Sequence, residues 1–397
     1  MIIPFLTPDL RPELDLRVEK VRKAMQVAGL KAILVSSTAN ILYLSGCIFR
    51  GYIFLSVEDG PLFITIPPSV TEASSDTVTL HKPELIPGML QERGMSLPEV
   101  IGLEYNDMFY NEVERLKGAF AGCGFSNASP ILMEARMIKT PYEIEKMKED
   151  GEHHVAAYSR IESCYWPGMT DIELQIEVER VLRREGCLGY LRVAGSRMEI
   201  NMGSVIAGDN ADMPSPYDFS MGGAGADPSL PVGADGTELR NGMSVMLDMN
   251  GGFNGYQTDM TRTWYVGSLP DLAFRAHDCS LKILHELERD ARPGMPLSDM
   301  YRRSMEIVKS EGLEDYFMGH RNHVKFIGHG VGIQLNEQPV IMERTKAVLA
   351  ENMTLAIEPK FVVPGVGASG IENTYRVGAD GLENLTPMDE SLKELKK

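Results

Sequence analysis

Cysteine is scarce in this chain, with five residues among 397 and none in a C-x-x-C pair. The odd number and wide scatter argue against a disulfide framework and against a thiolate zinc site. Long apolar runs are also missing, since none approaches the roughly 18 residues that a membrane helix requires. We therefore expect a cytoplasmic protein that has no membrane partner. The five residues concerned are Cys47, Cys123, Cys164, Cys187 and Cys279.

Positive charge is in short supply as well. The chain has 39 Lys and Arg against 56 Asp and Glu, which gives a formal net charge of −17. Such an excess of negative charge repels phosphate backbones, so we expect no nucleic-acid partner. The apolar content of 43% and the charged content of 24% are ordinary for a globular protein. At roughly 150 residues per domain, the length favours two domains.

The first third of the chain alternates strand-like and helical patterns. Short apolar runs lie at 31–36, 52–56 and 62–66, between helical patterns at 13–29, 89–94 and 109–119. This alternation predicts an α/β domain over roughly the first 130 residues.

The remainder begins with well-marked helices. Thr140 and Glu143 form a capping-box pattern around Pro141, and Thr170 with Glu173 repeats it. Two more helices are predicted over 271–291 and 297–312, and after 240 strands alternate with Gly-rich turns, which indicates an α+β domain. The stretch 205–236 has no period and is long for a connection, as lids and substrate loops often are.

Two aspartates flank a Gly-rich turn in this second part. Asp248 ends one strand pattern and Asp259 lies in the next, and the turn at Asn250–Gly255 predicts a hairpin that sets both on one face. Two carboxylates this close repel unless a cation lies between them. The alternative, in which one aspartate serves the turn and the other is solvated, stays open from this segment alone.

Later segments add three polar residues in apolar surroundings. His329 lies between glycines after an apolar run, Glu358 ends a strand pattern, and Glu372 repeats that arrangement. Buried carboxylates need a counter-charge. Four carboxylates and one imidazole suit two divalent cations, among which Mn, Fe, Co and Zn are all plausible.

In order, these motifs are D-x10-D, T-R-T, G-H-G-x-G, I-E-P and I-E. Their sequence resembles the creatinase, prolidase, aminopeptidase P and methionine aminopeptidase family of pita-bread enzymes. Arg136–Lys139 and Asn40–Gly46 are similar to further motifs of that family. The resemblance implies a creatinase-like α/β N-terminal domain over 1–135 and a pita-bread α+β catalytic domain over 136–397. It also implies that the metal ligands are Asp248, Asp259, His329, Glu358 and Glu372.

The resemblance further implies an activity. Metal-bound hydroxide would attack an amide or peptide bond of a small substrate, as in Xaa-Pro peptidases, with Glu358 as the proton-transfer partner. Relatives commonly dimerise, so a homodimer is expected.

Two positions depart from the family's peptidase pattern. Ser215 and Asn336 stand where those peptidases usually carry histidines that bind substrate and move protons. Neither side chain titrates near neutral pH, which argues against proline-peptide cleavage. Ser215, Asn336 and the nearby His323 are therefore the candidate substrate-binding residues. Two further departures are Gly370, where some relatives have Arg, and Asn373, where Asp often follows the last ligand.

These departures leave alternatives open. The same metal site would also serve a non-peptide amide hydrolase or a lyase, similar to ectoine hydrolase or dimethylsulfoniopropionate lyase. A catalytically inactive peptide-binding module is the alternative of another class. Among neighbouring residues, Arg262 is expected to pair with a carboxylate, Tyr256 to pack, and Glu337 to be either a base or a solvated charge.

Overall fold

The computed structural model describes residues 10–195, 198–217 and 221–396. The chain divides into two compact units, Met1–Arg136 and Met137–Lys397. No helix in these described ranges is both long and apolar enough to cross a membrane.

The first unit is a mixed sheet with helices. Its six strands run in the order β4-β3-β2-β1-β5-β6, with β1 antiparallel to β2 and parallel to β5. Its apolar core includes Leu34, Phe54 and Leu116. The helices are α1 Arg11–Val27, α2 Thr38–Ser45, α3 Ile86–Glu92, α4 Tyr110–Ala119 and α5 Ser129–Met137. The strands are β1 Ala32–Val35, β2 Gly51–Ser56, β3 Leu62–Thr65, β4 Thr77–Thr79, β5 Val100–Leu103 and β6 Gly124–Asn127.

The second unit combines sheets with helices. A five-stranded sheet has the order β11-β10-β12-β15-β16, a four-stranded sheet has the order β17-β9-β8-β7, and β13 pairs with β14. The helices are α6 Pro141–Tyr158, α7 Asp171–Glu185, α8 Asp271–Asp290 and α9 Leu297–Glu311. The strands are β7 Gly203–Ala207, β8 Ser244–Gly251, β9 Thr258–Tyr265, β10 Phe326–Gly330, β11 Glu337–Met342, β12 Thr354–Ile357, β13 Lys360–Val363, β14 Gly367–Gly370, β15 Asn373–Val377, β16 Leu382–Asn384 and β17 Lys393–Glu394.

Both predicted capping boxes are present. Thr140 accepts from the Glu143 backbone while the Glu143 side chain accepts from Thr140, and Thr170 and Glu173 repeat this exchange. Each pair satisfies two amides that the first turn of a helix leaves without partners.

Two predictions need correction, and one helix was not predicted. Helix α2 was not predicted, because apolar side chains cover most of its surface and hide the helical period; Ser37 caps its start and Gly46 adopts φ 75° at its end. The hairpin turn lies two residues later than Asn250–Gly255, at 252–257, since Asn250 pairs with Asp259 and Gly251 with Thr258 inside the ladder. The stretch 205–236 is not a loop throughout, as it opens with most of β7 and a 3-10 turn at Gly208–Asp212. Its residues 218–220 lie outside the described part.

The cap of α7 gives a stability prediction. Thr170→Ala removes the side-chain acceptor and is expected to lower the free energy of unfolding by about 1 kcal/mol, whereas Thr170→Ser keeps it. Urea denaturation followed by circular dichroism measures both. Equal losses in the two variants would contradict a capping role.

Candidate metal centre

The two aspartates lie on the hairpin of β8 and β9. Asp248 is paired with Thr261, and Asp259 with Asn250, so the two carboxylates are diagonal neighbours on one face of the ladder. The predicted shared face is therefore present, although the aspartates are not directly opposite each other.

The other three predicted residues come from the five-stranded sheet. His329 lies on β10 and pairs with Ala356 of β12. Glu358 directly follows β12, and Glu372 directly precedes β15. The sheets are joined here, because the Asp259 amide donates to Thr374 Oγ1 over 2.8 Å.

The five side chains converge in two overlapping groups. Asp259, His329 and Glu372 form one, and Asp248, Glu358 and Glu372 form the other. Within each group the potential ligand atoms lie within 4.8 Å of one another. Glu372 belongs to both groups, so the two candidate metal subsites adjoin.

Sequence reasoning missed a sixth residue of this centre. Lys360, the first residue of β13, is completely buried, and its Nζ lies between the carboxylates of the second group. Its hydrogen bonds to Asp248 Oδ2, Glu358 Oε2 and Glu372 Oε2 measure 2.8, 2.8 and 2.9 Å. The available signal was a lone cation after Pro359, at the start of an otherwise apolar strand.

Electrostatics explain why a cation belongs here. Burial alone would lower the pKa of Lys360, but the carboxylates of Asp248, Glu358 and Glu372 outweigh it and hold that pKa well above its ordinary value. One ammonium does not neutralise the whole centre. Burial still raises the pKa of Glu372 to about 8 although Lys360 lowers it. Burial, reinforced by Glu372 and Asp248, raises the pKa of Asp259 well above its usual range.

On the side of the centre that faces His329, no hydrogen bond joins the imidazole to the carboxylates, in contrast to the group around Lys360. His329 Nε2 lies 3.7 Å from both Asp259 Oδ2 and Glu358 Oε1, beyond hydrogen-bond distance. Its Nδ1 lies 3.1 Å from the Gly330 carbonyl, which can only accept. In the neutral ring, Nε2 therefore presents a lone pair to the carboxylates. Acceptors that face one another across such a gap suit a cation, and this side fits a divalent ion.

Glu372 supports the same conclusion. Its Oε2 accepts from Thr261 Oγ1 over 2.8 Å as well as from Lys360. Its Oε1 is buried and has no hydrogen-bond partner within the described ranges. Because a buried carboxylate oxygen without a partner is costly, this atom is suited to ligate an ion on the His329 side.

Arg262 holds the strand that carries these ligands, but not as predicted. It donates to the backbone carbonyls of Thr261 and Glu372 and to Asn373 Oδ1, each over 2.8 Å, rather than to a carboxylate. The substitution of Asn373 for the expected aspartate thus leaves a neutral acceptor at this contact. Arg262 fixes the backbone of Glu372 and through it the direction of that side chain.

The three candidate substrate-binding residues do not join the metal cluster. Ser215 Oγ donates to the Pro231 carbonyl over 3.0 Å. Asn336 Oδ1 accepts from the Ala194 amide over 2.6 Å. His323 is exposed, and its Nδ1 lies 2.8 Å from the Phe317 carbonyl. Their proposed role in substrate binding stays a prediction.

The remaining alternatives concern single polar residues near the centre. Glu337 forms a buried ion pair with Lys139 at 3.0 Å, so it is not a solvated charge, and its alternative role as a base stays a prediction. Tyr256 is buried as expected, and its hydroxyl also lies 3.1 Å from Glu143 Oε1.

The fold and this centre define a metal-dependent hydrolase. The family model of the creatinase/prolidase N-terminal domain matches residues 17–138, and that of metallopeptidase family M24 matches residues 145–379. The chain belongs to metallopeptidase family M24. This confirms the predicted family and the predicted fold class, an α/β creatinase-type domain followed by a pita-bread catalytic domain.

Relatives match along almost the whole chain. A Xaa-Pro dipeptidase of Pyrococcus furiosus is 25% identical over 382 residues, which cover 95% of this chain and 99% of the relative. The solved structure of a Xaa-Pro dipeptidase from Bacillus anthracis has a TM-score of 0.80 at 24% identity, covering 96% of this chain and 99% of that one. An X-Pro aminopeptidase from Thermotoga maritima has a TM-score of 0.76 at 21% identity, covering 95% and 99%.

A buried histidine beside the hairpin predicts a pH dependence of stability. Burial lowers the pKa of His154 to about 3, and its Nδ1 lies 3.0 Å from Thr258 Oγ1. As pH falls below the ordinary value of about 6.5, the unfolded chain takes up this proton before the folded chain does. The stabilisation present above that pH is therefore lost progressively towards about pH 3.

His154→Asn removes this difference and keeps a polar group near Thr258. Between about pH 7.5 and pH 5 it is expected to lose about 2 kcal/mol less stability than the wild type, measured by urea denaturation. His153→Asn is the matched control, because the neighbouring His153 is exposed. Identical pH slopes for wild type and His154→Asn would refute the assignment.

Proposed function

We propose that this chain hydrolyses an amide or peptide bond of a small substrate at a metal centre built from Asp248, Asp259, His329, Glu358 and Glu372. The convergence of these side chains in two groups that share Glu372 carries the proposal. The peptide substrates named for the relatives, Xaa-Pro dipeptides, support an amide bond as the target.

The donor set supports a divalent ion with an affinity for oxygen and imidazole, hence Mn, Co, Fe or Zn. The sequence predicts two such ions. When bound, an ion here supplies a Lewis acid that polarises a carbonyl oxygen and lowers the pKa of water.

Glu358 is the proposed proton-transfer residue. Its Oε2 accepts from Lys360, while its Oε1 faces His329 at 3.7 Å. That second oxygen is directed to the side of the centre that fits an ion, where it would take the proton that an attacking water loses.

The residues at positions 215 and 336 favour a reaction other than ordinary proline-peptide cleavage. Ser215 and Asn336 replace the two histidines of the family's peptidases, and both are engaged in backbone hydrogen bonds. Neither provides a group that protonates a leaving amine near neutral pH. This observation favours the second candidate function, a non-peptide amide hydrolase or lyase on the same centre.

The cytoplasmic location and the homodimer remain predictions. All five cysteines lie in the described part of the chain, and none forms a disulfide. Size-exclusion chromatography with light scattering measures the oligomeric state directly.

Metal binding is expected to stabilise the folded chain. After chelation and desalting, Mn²⁺ at about 100 times its Kd should add about 2.7 kcal/mol, read as a rise in Tm. His329→Ala should abolish most of this rise, whereas His323→Ala should retain it. A Tm that is insensitive to Mn²⁺ and Co²⁺ would refute the metal-dependent function.

Restoring the family histidines tests the substrate assignment. Ser215→His combined with Asn336→His is expected to raise Xaa-Pro dipeptide cleavage tenfold or more, which corresponds to roughly 1.4 kcal/mol in the barrier. The assay compares Xaa-Pro dipeptides, longer Xaa-Pro peptides and cyclic amidines with Mn²⁺ or Co²⁺ present. The double alanine variant is the control, and no gain in the histidine variant would contradict the proposed role of these two positions.

A further inference from the structure

Lys360 lies where one of the two predicted ions would bind. We propose that its ammonium group takes the place of one of the two predicted divalent cations, so that the chain binds a single ion, on the His329 side. This inference rests on the proposed function only in treating the carboxylate cluster as a metal centre.

The ammonium and an ion at the second group exclude each other. The carboxylates that would ligate that ion, those of Asp248, Glu358 and Glu372, are the three that accept from Lys360 Nζ. Their distances of 2.8 to 2.9 Å are those of charge-assisted hydrogen bonds. An ion ligated at about 2.0–2.2 Å by the same carboxylates would occupy the space of Nζ.

The backbone keeps Lys360 in this position. It pairs with Gly370 across β13 and β14, and its carbonyl accepts from the Met318 amide over 2.8 Å. A Cβ added to Gly370 would lie only 2.7 Å from Lys360 Cα and from the Pro359 carbonyl oxygen. The absence of a side chain at position 370, where some relatives carry Arg, thus lets the strand that holds Lys360 approach closely.

The lysine satisfies its own donors at these carboxylates. An ammonium has three N–H groups, and the three carboxylates accept one each. Withdrawal of the side chain would leave a completely buried cation without this set of acceptors. We therefore expect added metal not to displace it.

The His329 side retains the features of a site for one ion. His329 Nε2 faces Asp259 and Glu358 at 3.7 Å, and Glu372 Oε1 is buried with no partner within the described ranges. Lys360 makes none of its three carboxylate hydrogen bonds to these facing atoms. The ligands of the remaining ion are thus Asp259, His329 and Glu372, with Glu358 Oε1 beside them.

Formal charge agrees with one ion rather than two. Four carboxylates carry −4, the ammonium adds +1, and one divalent ion brings the sum to −1. Two divalent ions together with the ammonium would give +1 in a buried centre. The single-ion state keeps the small negative excess that favours binding of a cation.

Metal stoichiometry of the full chain tests the proposal. Chelated, desalted wild type is titrated with Mn²⁺ by isothermal calorimetry, and the bound metal is counted by mass spectrometry after gel filtration. One ion per chain is expected, with the electron paramagnetic resonance spectrum of an isolated Mn²⁺. Lys360→Met should bind two ions and show an exchange-coupled pair, whereas the exposed-lysine control Lys309→Met should bind one.

Two further variants locate the ion even if Lys360→Met fails to fold. His329→Ala should weaken Mn²⁺ binding at least tenfold and by more than Asp248→Asn, which removes a neighbouring charge but no ligand of that ion. Two ions or none in the wild type would overturn the inference. A folded Lys360→Met that binds one ion would also overturn it, and so would a loss of Mn²⁺ binding in Asp248→Asn but not in His329→Ala. A wild type that binds one ion but cleaves no amide would instead refute only the proposed function.

Discussion

The buried negative charge at the meeting of two sheets governs this structure. Asp248 and Asp259 lie within β8 and β9, Glu358 follows β12 and Glu372 precedes β15, and the proximity of these carboxylates requires compensating positive charge. Lys360 supplies one positive charge from within the chain. Burial, together with Glu358 and Asp248, raises the pKa of Glu372 to about 8 although Lys360 lowers it, as expected where one ammonium faces four carboxylates. A bound ion on the His329 side would complete the compensation, so that folding and metal binding are linked here.

The strands that carry the ligands are fixed by hydrogen bonds to their backbone groups. Arg262 reaches the carbonyls of Thr261 and Glu372, and Thr374 bonds to the Asp259 backbone on both its amide and carbonyl sides. These contacts fix the strands without neutralising the carboxylates. None of these contacts uses a carboxylate oxygen of a ligand, so the strands are fixed without occupying the oxygens that face the His329 side.

Features encoded by neighbouring residues were predictable from the sequence. The capping boxes at Thr140 and Thr170 depend on residues three positions apart, and the hairpin of Asp248 and Asp259 depends on one turn. Lys360 was not predictable in this way, because its partners lie 112, 2 and 12 positions away and it sits on a strand that reads as apolar. Helix α2 escaped prediction since its all-round burial removes the helical period. The environments of Ser215 and Asn336 likewise depend on contacts with distant backbone, at Pro231 and Ala194.

The residue pair Lys360 and Gly370 affects how strongly such an enzyme depends on the supply of metal. A counter-ion that is covalently part of a strand cannot be removed by chelators or exchanged for another metal. Half of the centre would thus be preassembled during synthesis, and only the other half would depend on the supply of trace elements. A substrate amine would also lose one binding position. An ammonium cannot be ligated by a nitrogen lone pair as a metal ion can, and the hydrogens of Lys360 are already donated to three carboxylates.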